Sequence, residues 1–240
     1  MRGFSIGYDK TVAPVVDKMV IAIAAGFEPF PKAGGTKPVT TGGTPIATLP
    51  PKATQRRASG LVLSPDAIIT SDAALKGCTD IMVAPEGNAA RVPAKLVRTL
   101  EGTGLAVLSS RAGKAMPIRV AVAAKDALLV QRDSEGDLLA SAATITGGKA
   151  ATSLQEGGAG GALFDKSGAL IGVINTMPVA KFKVAGIVPT LSYTYLGAED
   201  VLKAAGLPAG AKGDGAAKSS AEIAEAARPS MLSLVCASDK

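Results

Sequence analysis

From Ala58 onward the chain alternates short apolar segments with polar turns. The segments fall at 60–63, 67–70, 81–84, 95–99, 105–108, 118–123, 128–131, 138–145, 162–164, 170–174 and 184–188. Between them stand Ser64-Pro65-Asp66, Glu86-Gly87-Asn88, Ser134-Glu135-Gly136-Asp137 and Lys166-Ser167-Gly168. Short apolar runs bounded by turn-forming residues predict strands, and their close spacing predicts an all-β sandwich or barrels. The alanines of 138–145 suit a helix, but the Ser-Glu-Gly-Asp turn before them predicts a hairpin strand instead.

Ahead of this region, residues 12–25 (VAPVVDKMVIAIAA) carry an apolar, β-branched stretch at 19–23 that suits a buried strand. Residues 28–57 are rich in Pro, Gly and Thr and predict a long loop, functional or disordered. Two helices are predicted late in the chain. One spans 199–205, with acids in its first turn and a stop at Gly206. The other spans 221–227, with Ser220 as N-cap and Pro229 as terminator, after a linker at 206–220.

The end of the chain resembles its start. Aligning 12–25 with 224–237 pairs Met19 with Met231 and Ile23 with Val235. Two buried strands often look alike, and that is one reading. The other is a strand donor that joins a sheet edge, its own or a neighbour's, with Met231, Leu232, Leu234 and Val235 as docking residues. Self-association through this strand would follow.

Composition narrows the chemistry. The 240 residues are 47% apolar, enough for a real core in one large domain or two small ones. No apolar run approaches the roughly 18–20 residues of a membrane span. Aromatic residues are scarce and the net charge of +6 is scattered singly, its densest group being Arg56-Arg57 with Lys52 nearby. Neither feature fits nucleic-acid binding, and the charge reads as solubility with weak attraction to acidic surfaces. The chain has no histidine, which excludes Ser-His-Asp and Cys-His machinery and His-ligated metals. Cys78 and Cys236 are too few for a closed zinc site, and no metal or cofactor is expected. In an oxidising compartment they can form one disulfide, worth about 2–4 kcal/mol if unstrained; the alternative for Cys78 is a small half-buried turn residue. The first ten residues lack the apolar core of a signal peptide, as expected of a cytoplasmic protein or of a mature end.

Five landmarks carry a family resemblance. Residues 59–75 (SGLVLSPDAIITSDAAL) resemble the T-N-x-H-V-V region of trypsin-like serine proteases of the bacterial HtrA branch, with Thr70 and Ser71 on the Thr-Asn pair. The family's histidine then falls on Ala73, or on Asp72 in a frame shifted by one. Residues 103–108 (TGLAVL) resemble T-D-L-A-V-L, with Gly104 in the aspartate's place. Residues 157–163 (GGAGGAL) resemble G-N-S-G-G-P-L, with Ala159 in the serine's place. Residues 168–176 (GALIGVINT) and 184–190 (VAGIVPT) are similar to the two segments that follow.

The resemblance implies an all-β fold of two six-stranded antiparallel barrels. Barrel one would span about 11–114 and barrel two about 115–196, with a closing helix at 197–205, a linker at 206–220 and a C-terminal tail at 221–240. No PDZ domain is expected after it. The chemistry implies a catalytically inactive chain, because acyl transfer needs a nucleophile, a base and a group that orients the base. All three positions (Ala73, Gly104 and Ala159) lack such a group. Backbone N–H groups at 157–159 could retain an oxyanion hole, which alone leaves only weak hydrolysis. Neither 157–161 nor 102–104 has the form of a nucleotide-binding loop, and Glu156 and Asp165 read as solvated turn acids.

The function expected is therefore that of a non-catalytic protein-binding or scaffolding subunit. An alternative is a peptide-binding chaperone or adaptor that uses the inter-barrel cleft, and a weaker one is a serine hydrolase with relocated residues. Binding candidates are Gly157, Gly158, Gly160, Gly161, Ile187, Val188 and Pro189, with the loop at 28–57. Expected partners are other subunits or extended peptides, and the resemblance favours a periplasmic or otherwise exported location.

Overall fold

The structure, a computed structural model, describes residues 54–85, 89–121, 124–179, 188–213 and 215–238. The expected strand at 19–23, the loop from 28 to 53, the turn at 86–88 and Ile187 lie outside the described residues.

Barrel one contains β1 (Thr54–Ser64), β2 (Ala67–Ser71), β3 (Asp80–Ala84), β4 (Val92–Leu100) and β5 (Leu105–Ser109). Its sixth strand is the last of the chain, β14 (Met231–Ser238). The strands close in the order β1-β14-β3-β4-β5-β2. Pro65 and Asp66 turn β1 into β2, with Val62 opposite Ile68 and Ser64 opposite Ala67. Val62, Ile68, Val83, Leu108, Leu232 and Leu234 pack in one cluster belonging to this barrel. Leu61, Ile69, Leu105, Val107 and Met231 join a second cluster shared with the other barrel. Several strands are thus apolar on both faces, which explains their unbroken apolar runs.

A short strand, β6 (Arg119–Ala121), leads into barrel two, made of β7 (Asp126–Arg132), β8 (Leu138–Thr146), β9 (Lys149–Thr152), β10 (Ala162–Phe164), β11 (Leu170–Ile174) and β12 (Leu191–Gly197). These run β7-β8-β9-β12-β11-β10, and β10 closes the ring by pairing with β7. Aspartates fix two of its hairpins. Asp133 Oδ1 accepts the N–H groups of Glu135, Gly136 and Asp137, each at 2.9 Å. Asp165 Oδ1 accepts from Ser167 N, Ser167 Oγ and Ala169 N at 2.7–2.9 Å. The β6 strand lies parallel to β11 and to β13 (Ala211–Gly213), inside the stretch expected to be a plain linker.

Three helices complete the described chain: α1 (Asp72–Leu75), α2 (Ala198–Ala205) and α3 (Ser220–Ala227). The second ends at Gly206, whose φ of 75° lets its N–H reach back to Lys203 O at 3.0 Å. The third is capped by Ser219 rather than Ser220, in a reciprocal capping box with Glu222. It buries Ile223 and Ala227 in the inter-barrel cluster. No helix among the described residues is long and apolar enough to cross a membrane.

The all-β double barrel agrees with the sequence expectation, but the division of the chain does not. Residues 231–238 are no separate tail: β14 lies between β1 and β3, with Leu61 opposite Met231, Thr54 opposite Ser238 and Val83 opposite Leu234. Both of its edges are hydrogen-bonded within the chain, and Met231 through Cys236 are buried. Met231, Leu232, Leu234 and Val235 are therefore core residues of barrel one and present no docking edge to a neighbour. The cause is their pattern, which is apolar on successive positions and fits only a strand covered on both faces. Residues 55–57 likewise belong to β1, not to the preceding loop.

Candidate functional site

The positions of Ala73, Gly104 and Ala159 converge where the barrels meet. The β2 strand ends at Ser71 and α1 begins at once, placing Ala73 in the helix's only turn. Asp72 N donates to Gly104 O at 3.0 Å, joining the first two positions. Ser59 N, on β1, donates to Ala159 O at 2.8 Å, and Gly160 N donates to Ile174 O at 3.0 Å.

Asn175, one residue beyond Ile174, ties the arrangement together. Its Nδ2 donates to Thr103 O at 2.7 Å, while its Oδ1 accepts from Thr194 Oγ1 at 2.6 Å. Its carbonyl accepts from Ser71 Oγ at 3.0 Å. Gly104 has φ +70°, and a Cβ there would lie 3.2 Å from that carbonyl and 3.4 Å from Nδ2. A side chain at 104 would meet both an unfavourable backbone conformation and Asn175.

Nearby hydroxyls are engaged as structural donors. Ser59 Oγ accepts from Arg132 N at 2.7 Å and donates to Gly157 O at 2.9 Å. Thr70 Oγ1 donates to Ser59 O at 2.7 Å. No imidazole exists to activate any of them, and no trio of potential metal ligands gathers among the described residues.

The glycine-rich loop is a packing device. Gly157, Gly158, Gly160 and Gly161 are all buried, so most of this set lines no open cleft. A Cβ on Gly158 would come within 2.0 Å of Gln131 Oε1, and one on Gly160 within 2.2 Å of Ser59 O. The N–H groups of Gly158, Gly160 and Gly161 donate to the carbonyls of Gln155, Ile174 and Gly158. Val188 is buried, whereas Pro189 is half-buried.

Beside this loop lies a pocket of about 320 Å³, lined by Gln55, Arg56, Arg57, Glu156, Gly157, Met177 and Pro178. Arg56 Nη1 donates to Ala73 O at 3.4 Å, at the position where the family resemblance places a histidine. Its Nη2 lies 3.8 Å from Cys236 Sγ. Cys236 is bonded to Cys78, with a Cα–Cα distance of 5.4 Å across a sequence separation of 158. Met177 packs against the barrel-one cluster, so the segment after Asn175 reaches from one barrel to the other.

No protein-family model matches the chain, and no curated protein matches it. Among solved structures it is similar to the HtrA-type protease AlgW with a tripeptide, at 21% identity and a TM-score of 0.48, over 61% of this chain and 53% of that one. It is also similar to the MamO protease domain from Magnetospirillum magneticum in its apo form, at 19% identity and a TM-score of 0.47, over 61% of this chain and 86% of that one. A serine endoprotease from Yersinia pestis matches at 21% identity and a TM-score of 0.44, over 57% and 53%. The chain thus spans about half the length of AlgW.

Other residues of the junction were not anticipated as site residues. Gln131 pins the loop by donating to Ser153 O and accepting from Gln155 N, each at 3.0 Å. Arg132 is buried and donates to Met231 O at 2.8 and 3.0 Å, to Gly136 O and to Pro85 O. Both lie at the end of β7, where the sequence shows only an apolar strand running out. Arg56 and Arg57 stood out in the sequence as the densest basic pair, but nothing there placed Arg56 beside Ala73.

Proposed function

We propose that this chain is a non-catalytic protein of trypsin-like architecture that acts by binding, as a subunit of a larger assembly or as a holder of extended peptides. The observation that carries this reading is the contact between Gly104 and Asn175. Where a triad acid would project, the backbone has a positive φ and Asn175 fills the space. The absence of histidine supports the same reading, because hydroxyls without a base remain poor nucleophiles. The test is labelling of the folded chain with a serine-directed fluorophosphonate. No labelling is expected, and stoichiometric labelling would overturn the proposal.

The disulfide supports an exported location, since such bonds persist in oxidising compartments. A thiol titration of unreduced protein from the native cell should find none, and two free thiols would remove that support.

A further inference from the structure

We propose that the cleft between β6, the β10–β11 hairpin and α3 binds a small amphipathic carboxylate, with its acid head at Arg119 and Lys218 and its aliphatic body on the apolar wall. This goes beyond the non-catalytic reading and does not rest on it. The cleft has a volume of about 410 Å³, within the range of about 300–1,000 Å³ usual for small-molecule sites. Phe164 and Ile223 line it from the buried side and belong to the inter-barrel cluster, against which Met116 also packs. Pro117 and Ala226 carry the apolar wall out to the exposed rim.

Both cations stand on fixed backbone. Arg119 begins β6 and pairs with Ala211 of β13. Lys218 N donates to Lys166 O at 2.8 Å, and the capping box at Ser219 follows at once. Their head groups border the turn at Ser167 and Gly168. Lys218 Nζ is 3.7 Å from where a Cβ on Gly168 would stand. Arg119 Nη1 is 2.9 Å from the equivalent point on Gly215, which is itself 3.6 Å from Ser167 Cβ. No acid lines the cleft, and among the described residues neither cation forms an ion pair. Two acids on the surrounding elements are engaged in their own turns. Asp165 Oδ1 accepts from Ser167 and Ala169, and Glu222 Oε2 accepts from Ser219 N and Oγ at 2.7 Å each. Glu222 attracts Lys218 through space, and Lys166 offsets Asp165, so one positive charge is left for a monoanion. An alkanoate meets both halves of the cleft. Its carboxylate accepts from ammonium and guanidinium, and its methylenes cover apolar surface that a bare inorganic anion would leave wet.

The test titrates the full oxidised, isotope-labelled chain with nonanoate at low salt and follows the amide shifts by NMR. Saturable shifts are expected at Gly168, Lys218 and Ile223. Nonanamide, the neutral analogue, should bind about threefold to tenfold more weakly, the range for charge pairs at an exposed rim. The double variant Arg119→Gln/Lys218→Gln should bring nonanoate down to the level of nonanamide. Ala226→Trp, at an exposed helix position, should fill the cleft and abolish binding of both, with circular dichroism confirming that the variants fold. Equal affinity for nonanoate and nonanamide, binding that survives Ala226→Trp, or no saturable shift up to about 10 mM overturns the proposal. Acetate binding as tightly as nonanoate overturns it in favour of a small-anion site.

Discussion

Asn175 stands 3.2 Å, at its carbonyl oxygen, from the point where a side chain on Gly104 would begin. The same residue binds Thr103 through its amide and Ser71 through its carbonyl, so it ties the chain beside Gly104 to the end of β2. The packing of the junction therefore disfavours any side chain at 104. Refilling that position requires Asn175 to move, and with it the contacts to both barrels.

Restoring the three family residues should accordingly fail. The variant Ala73→His, Gly104→Asp, Ala159→Ser is expected to remain unlabelled by fluorophosphonate. Gly104→Asp alone should lose about 1–3 kcal/mol from the left-handed backbone, with the Asn175 contact adding to it. Urea unfolding of the single variant measures the loss. Labelling of the triple variant would show that Asn175 yields and that the site is only three substitutions from chemistry.

Removing β14 should cost the whole of barrel one. The strand pairs along both edges, and Leu232 and Leu234 are 0% and 1% exposed. A chain cut after Lys218 is expected to lose cooperative unfolding by circular dichroism. The milder change Leu232→Ala should destabilise by about 2–5 kcal/mol, the usual range for a buried leucine. A truncated chain that still melts cooperatively near the full-length temperature would contradict the six-stranded closure.

Much of this fold is legible in the sequence because burial and turn chemistry coincide. The segments that became β2, β5, β10 and β11 are apolar runs, and Asp133 and Asp165 mark two of the hairpins. The β9 strand, KAAT, carries only small residues between its polar ends, and β12 has Tyr193 alone fully buried, so neither gives a strong local signal. The β13 strand, AKG, is extended only because β6 runs alongside it. Ala73, Gly104 and Ala159 are singled out in the sequence by motif spacing alone. The Arg56 contact with Ala73 and the bond from Asn175 to Thr103 are not, since each joins segments 17 and 72 residues apart through the closed barrels.

Acid should loosen the cap of α3 before it unfolds the barrels. Hydrogen bonds from Ser219, first its backbone N–H and then its hydroxyl, hold the Glu222 carboxyl below its ordinary value. Hydrogen bonding to Arg228 does the same for Glu225. With folded values lowered, the stabilisation is present above the ordinary carboxylate range and is lost as pH falls through the lowered values. The protection factor of the Glu222 amide, corrected for intrinsic exchange at each pH, should therefore fall at acid pH, and Glu222→Gln should remove that dependence. An unchanged pH profile in the variant would assign the acid response to other groups.

Reduction of Cys78–Cys236 should weaken barrel one without opening it. The bond closes a 158-residue separation, and removing such a link costs about 2–4 kcal/mol, chiefly through the freedom gained by the unfolded chain. The folded strand keeps its ladders to β1 and β3, so far-UV circular dichroism should be unchanged while the melting temperature falls by several degrees. Arg56 loses part of its support in the same step, because its Nη2 rests against Cys236 Sγ. Melting of oxidised protein, reduced protein and Cys78→Ser/Cys236→Ser measures the loss. An unchanged melting temperature would show that the ladders to β1 and β3 hold the strand without the disulfide.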